Sequence, residues 1–285
     1  MTQLAFKKYQ GTGNDFVLID ATQPDFPDLP WHTIAKQWCL PHFGIGADGL
    51  ILALPSRNAD FVMKIFNADG SESAQCGNGI RCFTRFVVEN GLTAKSALSV
   101  ETISGIYYPE IIGRSDNDWQ IRVNMGYPVL ARDQIPLSSS LPDPVQDIPI
   151  TVGGTEYHIT GVSMGNPHAV IFVEDLSQID LHTVGPAFQS SPLFPEKVNV
   201  EFVQVLSPTE AKVVVWERGS GPTLACGTGA CAVAVAGALT GRLARESTIH
   251  LPGGALQILW AENGAVWMTG PAVYVFSGTI AWLGS

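Results

Sequence analysis

The sequence predicts an α+β fold, mostly strand, made of two homologous lobes, each with many short strands around one central helix. Three observations carry this. The chain repeats itself motif by motif. Short β-branched and aromatic runs bounded by Gly, Pro, Asn and Asp recur in both halves. One substantial apolar helix pattern follows each copy of a Cys-Gly-x-Gly motif.

The duplication has a period of roughly half the chain. Cys76-Gly77-Asn78-Gly79 returns as Cys226-Gly227-Thr228-Gly229. Nine residues before each cysteine a strand-like run ends in a polar residue, Phe61 to Asn67 in the first copy and Ala211 to Glu217 in the second. Upstream, Gly13-Asn14-Asp15-Phe16-Val17-Leu18-Ile19 pairs with Gly165-Asn166-Pro167-His168-Ala169-Val170-Ile171. Downstream, Ile121 to Pro128 resembles Val266 to Pro271. Four matches in one order at nearly one spacing define two lobes. Pro128, Pro136, Pro142 and Pro144, with Ser138-Ser139-Ser140, mark the connection between them.

Strands are expected at Phe16–Ile19, Gly49–Leu54, Phe61–Phe66 and Gln120–Asn124 in the first lobe. In the second they are expected at Ala169–Val173, Val200–Val205, Lys212–Trp216, Gln257–Trp260 and Val273–Phe276. After Cys76, the spacing of Ile80, Phe83, Phe86 and Val87 makes one apolar helix stripe, and Asn90-Gly91 supplies its stop. After Cys226, Ala230 to Leu239 is apolar on every face, so that helix should be buried all round.

Composition narrows the function classes. The chain has 285 residues, 46% hydrophobic and 15% charged, which fits a compact folded protein. Sixteen basic against 26 acidic residues leave a net charge of −10, a field that repels a phosphate backbone, so no nucleic-acid partner is expected. No apolar run approaches the roughly 18 residues that span a bilayer, and Met1 to Gln10 lacks a secretory apolar core, so no membrane association and a cytoplasmic location are expected. Five cysteines, an odd number, without Cys-x2-Cys or paired-histidine spacing argue against a structural metal site. Gly11-Thr12-Gly13 lacks the third glycine of a dinucleotide loop, so nothing calls for a nucleotide cofactor.

The chemistry centres on the repeated cysteines. A cysteine just before a buried helix meets unpaired N–H groups and a partial positive charge, which favour thiolate and bind anions. Gly77, Gly79, Gly227 and Gly229 have no side chains to keep a carboxylate from those amides. Two equivalent thiols on opposite walls of a shared cleft could reach opposite faces of one carbon. One would take an α-proton while the other returns a proton, inverting the centre without a cofactor. Cys39, Cys82 and Cys231 read instead as buried core thiols. Asn14 and Asn166 occupy repeat-equivalent positions, as do Asn67 and Glu217, which is where a small zwitterion would be gripped.

The segments GTGNDFVLID, FNADGSESAQCGNGIRCF, SMGNPHAVIFV, FPEKVNVEFV, WERGSGPTLACGTGACA and MTGPA together resemble the diaminopimelate epimerase family along the whole chain. The resemblance implies two pseudo-symmetric lobes, each a curved mixed sheet wrapped around a central helix, with the active-site cleft between them. Residues 1–127, completed by 275–285, would form the N-terminal lobe and 128–274 the C-terminal lobe. It implies a cofactor-independent isomerase interconverting LL- and meso-2,6-diaminopimelate for lysine and peptidoglycan precursors, and a homodimer. Cys76 and Cys226 match the family's two acid/base thiols. Asn14, Asn67, Asn166 and Asn199, with Glu217 and Arg218, look like its substrate ligands. Gly77, Asn78, Gly227 and Thr228 resemble its carboxylate cradle, and His168 with Glu217 its modulators of the thiol pKa values.

Two departures bear on substrate preference. Gly49 stands where some members place a glutamine that touches substrate, and Pro222 where many have Glu. Two other readings stay open on the sequence. One is a related two-cysteine racemase acting on a proline derivative or histidine; the other is a thiol switch or amino acid binder without turnover.

Overall fold

The computed structural model describes residues 2–74, 76–116 and 118–282; the last residues of the predicted 275–285 segment, 283–285, lie outside them. The chain divides into two compact units, Met1–Val123 with Gly270–Ser285, and Asn124–Thr269. Both are α+β.

The first unit contains β1 (Thr2–Gly11), β2 (Asn14–Asp20), α1 (Trp31–Trp38), β3 (Gly49–Pro55), β4 (Phe61–Asn67), β5 (Glu72–Ser73) and α2 (Gly77–Glu89). It continues through β6 (Val100–Thr102), β7 (Gly105–Tyr107), β8 (Glu110–Arg114) and β9 (Trp119–Asn124). β2 and β3 run parallel, while β3–β4 and β1–β2 are antiparallel. Helix α2 packs on β1, β2, β3, β4 and β8. Its expected stripe, Ile80, Phe83, Phe86 and Val87, is buried, and so are Arg81 and Arg85. Those guanidiniums donate to the backbone oxygens of Pro271 and Ala272, and Arg85 also pairs with Glu89, so both buried cations are hydrogen-bonded. The helix stops at Asn90, and Gly91 takes the left-handed φ of +70° that side chains resist.

The second unit contains β10 (Ile148–Val152), β11 (Thr155–Ser163), β12 (Pro167–Phe172), α3 (Leu181–Gln189), β13 (Asn199–Ser207), β14 (Glu210–Glu217), β15 (Gly221–Thr223), α4 (Gly227–Leu239), β16 (Glu246–Leu251) and β17 (Gly254–Trp260). Again a parallel pair, β12–β13, is followed by an antiparallel partner, β14. Helix α4 begins three residues before the apolar run that predicts it, and every residue from Gly229 to Gly237 is buried. It packs on β11, β12, β13, β16 and β17.

The long strand β18 (Val266–Trp282) pairs with β17 up to Thr269 and with β1 from Val273 onward, both antiparallel. The expected strand Val273–Phe276 is thus one stretch of a much longer element.

Helices α1 and α3 were not expected. Trp31, Ile34, Ala35 and Trp38 of α1 are buried at helical spacing, a pattern short enough to pass for a loop after Pro30. Helix α3 carries Gly185 and Pro186, both poor helix residues. Gly185 is there because Trp216 lies against it: a Cβ would stand 2.2 Å from the indole Cδ2. The Asp180 side chain caps this helix by accepting from the His182 amide. Among the described residues, no helix is long and apolar enough to cross a membrane.

Candidate active site

Strand pairing sets the polar residues in rows. In the first unit Phe16, Gly49 and Asn67 stand side by side across β2, β3 and β4. Gly49 is confined there, since a Cβ would come within 2.8 Å of the Phe66 carbonyl. In the second unit His168 is opposite Asn199, and Val200 opposite Trp216, so Asn199 and Glu217 share a face at matching ends of their strands.

Cys76 is the N-cap of α2, with extended backbone, and its Sγ accepts from the Gly79 amide at 3.4 Å. The thiol also faces Asn14 Oδ1 at 3.6 Å, which accepts from Asn78 Nδ2 as well. Asn14 Nδ2 donates to Asp48 at 2.6 Å, which turns the amide so that its oxygen points toward the sulfur. The first-turn amides of Gly77 and Asn78 have no partner within the helix, as at any helix start. Asn67 lies apart from this group: it is exposed and donates to Ser71 Oγ.

Cys226 caps α4 in the same way, its Sγ accepting from the Gly229 amide at 3.4 Å and lying 3.5 Å from Thr228 Oγ1. Unlike Cys76, it is only 5% exposed. Burial, with the charge of Glu217 nearby, pushes its thiol well above the ordinary value. The helix start was expected to favour thiolate; at Cys226 desolvation outweighs it.

Around Cys226 the predicted residues divide. Glu217 accepts a hydrogen bond from Thr223. Asn199 clamps backbone, accepting from the Arg218 amide and donating to the Pro167 carbonyl. The exposed Arg218 guanidinium touches only the Glu196 carbonyl among the described bonds. His168 is fully buried and joins Asn166 Oδ1 at 3.0 Å and Glu201 Oε1 at 2.6 Å. Sequence reasoning passed over Glu201, although a carboxylate inside the apolar run Val200 to Val203 was the available signal. Pro222 sits opposite Trp216 on β15, facing solvent. Cys39, Cys82 and Cys231 are buried in cores, and burial raises Cys39 and Cys82 to about 12. Among the described residues no cluster of three His, Cys, Asp or Glu side chains could hold a metal ion.

The diaminopimelate epimerase family profile matches residues 6–131 and 160–275. A curated diaminopimelate epimerase from Moorella thermoacetica is 54% identical, covering 96% of this chain and 98% of its own. One from Halothermothrix orenii is 50% identical and covers 98% of each. Among solved structures, a phenazine biosynthesis protein of the PhzF family from Bacillus anthracis superposes with a TM-score of 0.72 at 16% identity, over 99% of this chain and 100% of its own. A hydroxyproline epimerase from Agrobacterium vitis gives 0.68 at 16% identity, over 98% and 91%. These two share the fold. The near-complete match at about half identity decides the family: the chain belongs to the diaminopimelate epimerases.

Proposed function

We propose that the chain interconverts LL- and meso-2,6-diaminopimelate without a cofactor, with Cys76 and Cys226 as the acid/base pair. What supports this reading is the repeated arrangement of a thiol at a helix start, its sulfur on the third-residue amide, in a chain about half identical to curated diaminopimelate epimerases. In the direction that begins with Cys226 as thiol, Cys76 thiolate takes the α-proton. The Cα–H bond breaks, an S–H bond forms, and the electron pair spreads into the α-carboxylate. Cys226 then delivers its proton to the opposite face, leaving the proton inventory of the two sulfurs exchanged.

The first-turn amides of Gly77, Asn78, Gly227 and Thr228 stabilise the charge that develops on the carboxylate. Asn14, Asn67, Asn166, Asn199, Glu217 and Arg218 hold the rest of the substrate, with Arg218 suited to a carboxylate. The raised Cys226 suits the role of proton donor. His168 acts on that thiol through its neighbours. The same reading makes the protein a cytoplasmic homodimer supplying lysine and peptidoglycan precursors, a stoichiometry that sedimentation equilibrium checks.

Incubation with LL-diaminopimelate in heavy water should place deuterium at one α-carbon and yield the meso isomer. Cys76→Ser and Cys226→Ser should each retain the fold and lose about 10²–10⁴-fold in epimerisation. No exchange on either isomer, alongside exchange on a single L-amino acid, would move the activity to a different substrate. A full-rate Cys76→Ser enzyme would end the two-thiol mechanism.

A further inference from the structure

The two units fill equivalent positions differently. In the second, the parallel β12–β13 pair sets His168 opposite Asn199 and Val170 opposite Glu201, so His168 and Glu201 share a face. In the first, the β2–β3 pair sets Phe16 opposite Gly49 and Leu18 opposite Ile51, so Phe16 and Ile51 hold the matching places. A Cβ on Gly79 would meet Ile51 Cδ1 at 3.2 Å; one on Gly229 would meet Glu201 Oε1 at 2.8 Å. The architecture therefore accepts two apolar side chains here. The buried His–Glu pair beneath Cys226 is not demanded by the fold.

Both nitrogens of His168 are engaged, Nδ1 with Glu201 and Nε2 with Asn166 Oδ1. An amide oxygen only accepts, so Nε2 carries a hydrogen and donates it. Nδ1 then shares one proton with Glu201, and the pair has no net charge. Glu201 Oε2 has no hydrogen-bond partner among the described residues, which suits the carbonyl oxygen of a neutral acid. Burial raises Glu201 in the same sense. With Oδ1 turned toward the imidazole, half-buried Asn166 keeps both Nδ2 hydrogens available for a ligand.

We propose that Glu201 is a positioning residue that, through His168, holds the Asn166 amide oxygen inward and its Nδ2 donors toward the carboxylate of the amino acid substrate. Without Glu201 the imidazole can place its hydrogen on Nδ1. Nε2 then becomes an acceptor, and the Asn166 amide turns round to present its oxygen to an anion. This inference rests on the reading of Asn166 as a substrate ligand.

The test compares Glu201→Leu, Glu201→Gln and the double variant His168→Phe/Glu201→Ile, which copies the filling of the first unit. Readouts are KM and kcat with diaminopimelate, and ¹⁵N spectra of the histidine side chains. Glu201→Leu should raise KM about tenfold with kcat within about threefold, and lose the Nε2–H signature of His168. Glu201→Gln can still donate to Nδ1 and should return KM to within about threefold of the parent. The double variant should show the raised KM even if Glu201→Leu fails to fold.

A folded Glu201→Leu or double variant with parental KM would overturn the proposal, as would a Glu201→Gln as impaired as the leucine. If the parent protein does not turn over diaminopimelate, the functional reading has failed instead. The spectra then decide alone: an Nδ1–H imidazole in the parent refutes the proposal, and loss of Nε2–H in Glu201→Leu supports it.

Discussion

Adding one methyl group at Gly229 should damage the protein, while the same change at Gly79 should not. Both glycines lie in the first turn of a helix, and both donate their amide to the capping cysteine. In either helix, Ala gains about 1 kcal/mol over Gly in propensity. At Gly79 the new Cβ meets Ile51 Cδ1 at 3.2 Å and Ile65 Cδ1 and Cys76 Cβ at 3.3 Å. Two of these are methyl ends that can yield by a few tenths of an ångström, so the gain and the crowding nearly cancel. At Gly229 the Cβ meets Glu201 Oε1 at 2.8 Å and both Cβ and Sγ of Cys226 at 3.2 Å. That carboxyl oxygen is held 2.6 Å from a fully buried imidazole and has nowhere to go.

Overpacking costs about 1–3 kcal/mol, and against a neighbour that cannot yield the upper part of that range, about 2–3 kcal/mol, applies before the propensity gain of about 1 kcal/mol is subtracted. The net effect of Gly229→Ala is then a loss of about 1–2 kcal/mol, or roughly 3–6 °C in Tm for a protein of this size. Calorimetry of the two variants beside the parent is the assay. Gly79→Ala should stay within about 2 °C of the parent. A Gly229→Ala protein at or above the parental Tm, or equal losses in both variants, would refute the claim that the Glu201 carboxyl is locked in place.

The remaining predictions concern the thiol and the core. In a Cys76→Ser background, alkylation of native Cys226 should climb only as pH passes the ordinary thiol value of 9.0, because the buried thiol keeps its proton longer than an unfolded one. The corresponding stability contribution is present below that pH and is lost above it, as the unfolded chain ionises first. A midpoint near pH 7 by mass spectrometry would contradict this. Gly185→Ala drives a Cβ to 2.2 Å from the Trp216 ring, so it should cost about 3 kcal/mol or more and shift the tryptophan fluorescence. An unchanged emission and Tm would mean that α3 does not rest on Trp216.

Much of this arrangement is legible in the residues themselves. The duplication locates both N-capping cysteines, because the repeated Cys-Gly-x-Gly run stands directly before each helix. The α2 stripe and the all-apolar α4 announce their burial directly. α3 is hidden because Gly185 and Pro186 oppose a helix locally, and the reason for Gly185, the face of Trp216, lies far along the chain. The Asn199 side chain, read as a substrate ligand, also braces the Arg218 and Pro167 backbone, a role its repeat position does not announce. Glu201 escapes notice for a related reason. Its meaning depends on His168 across a parallel strand pair, a relation that spacing along one strand does not express.

The division of the chain also sets an order of synthesis. Every segment of the second unit, Asn124–Thr269, has been made before β18 runs on past it. The first unit is made earlier yet lacks one of the two partners of β1, and one backbone acceptor each for Arg81 and Arg85, until Gly270 and its successors emerge. On the ribosome, therefore, the later half can finish folding while the earlier half waits with an open sheet edge and two guanidiniums each short of one backbone acceptor. A stop codon near position 270 would leave the amino-terminal half permanently in that waiting state.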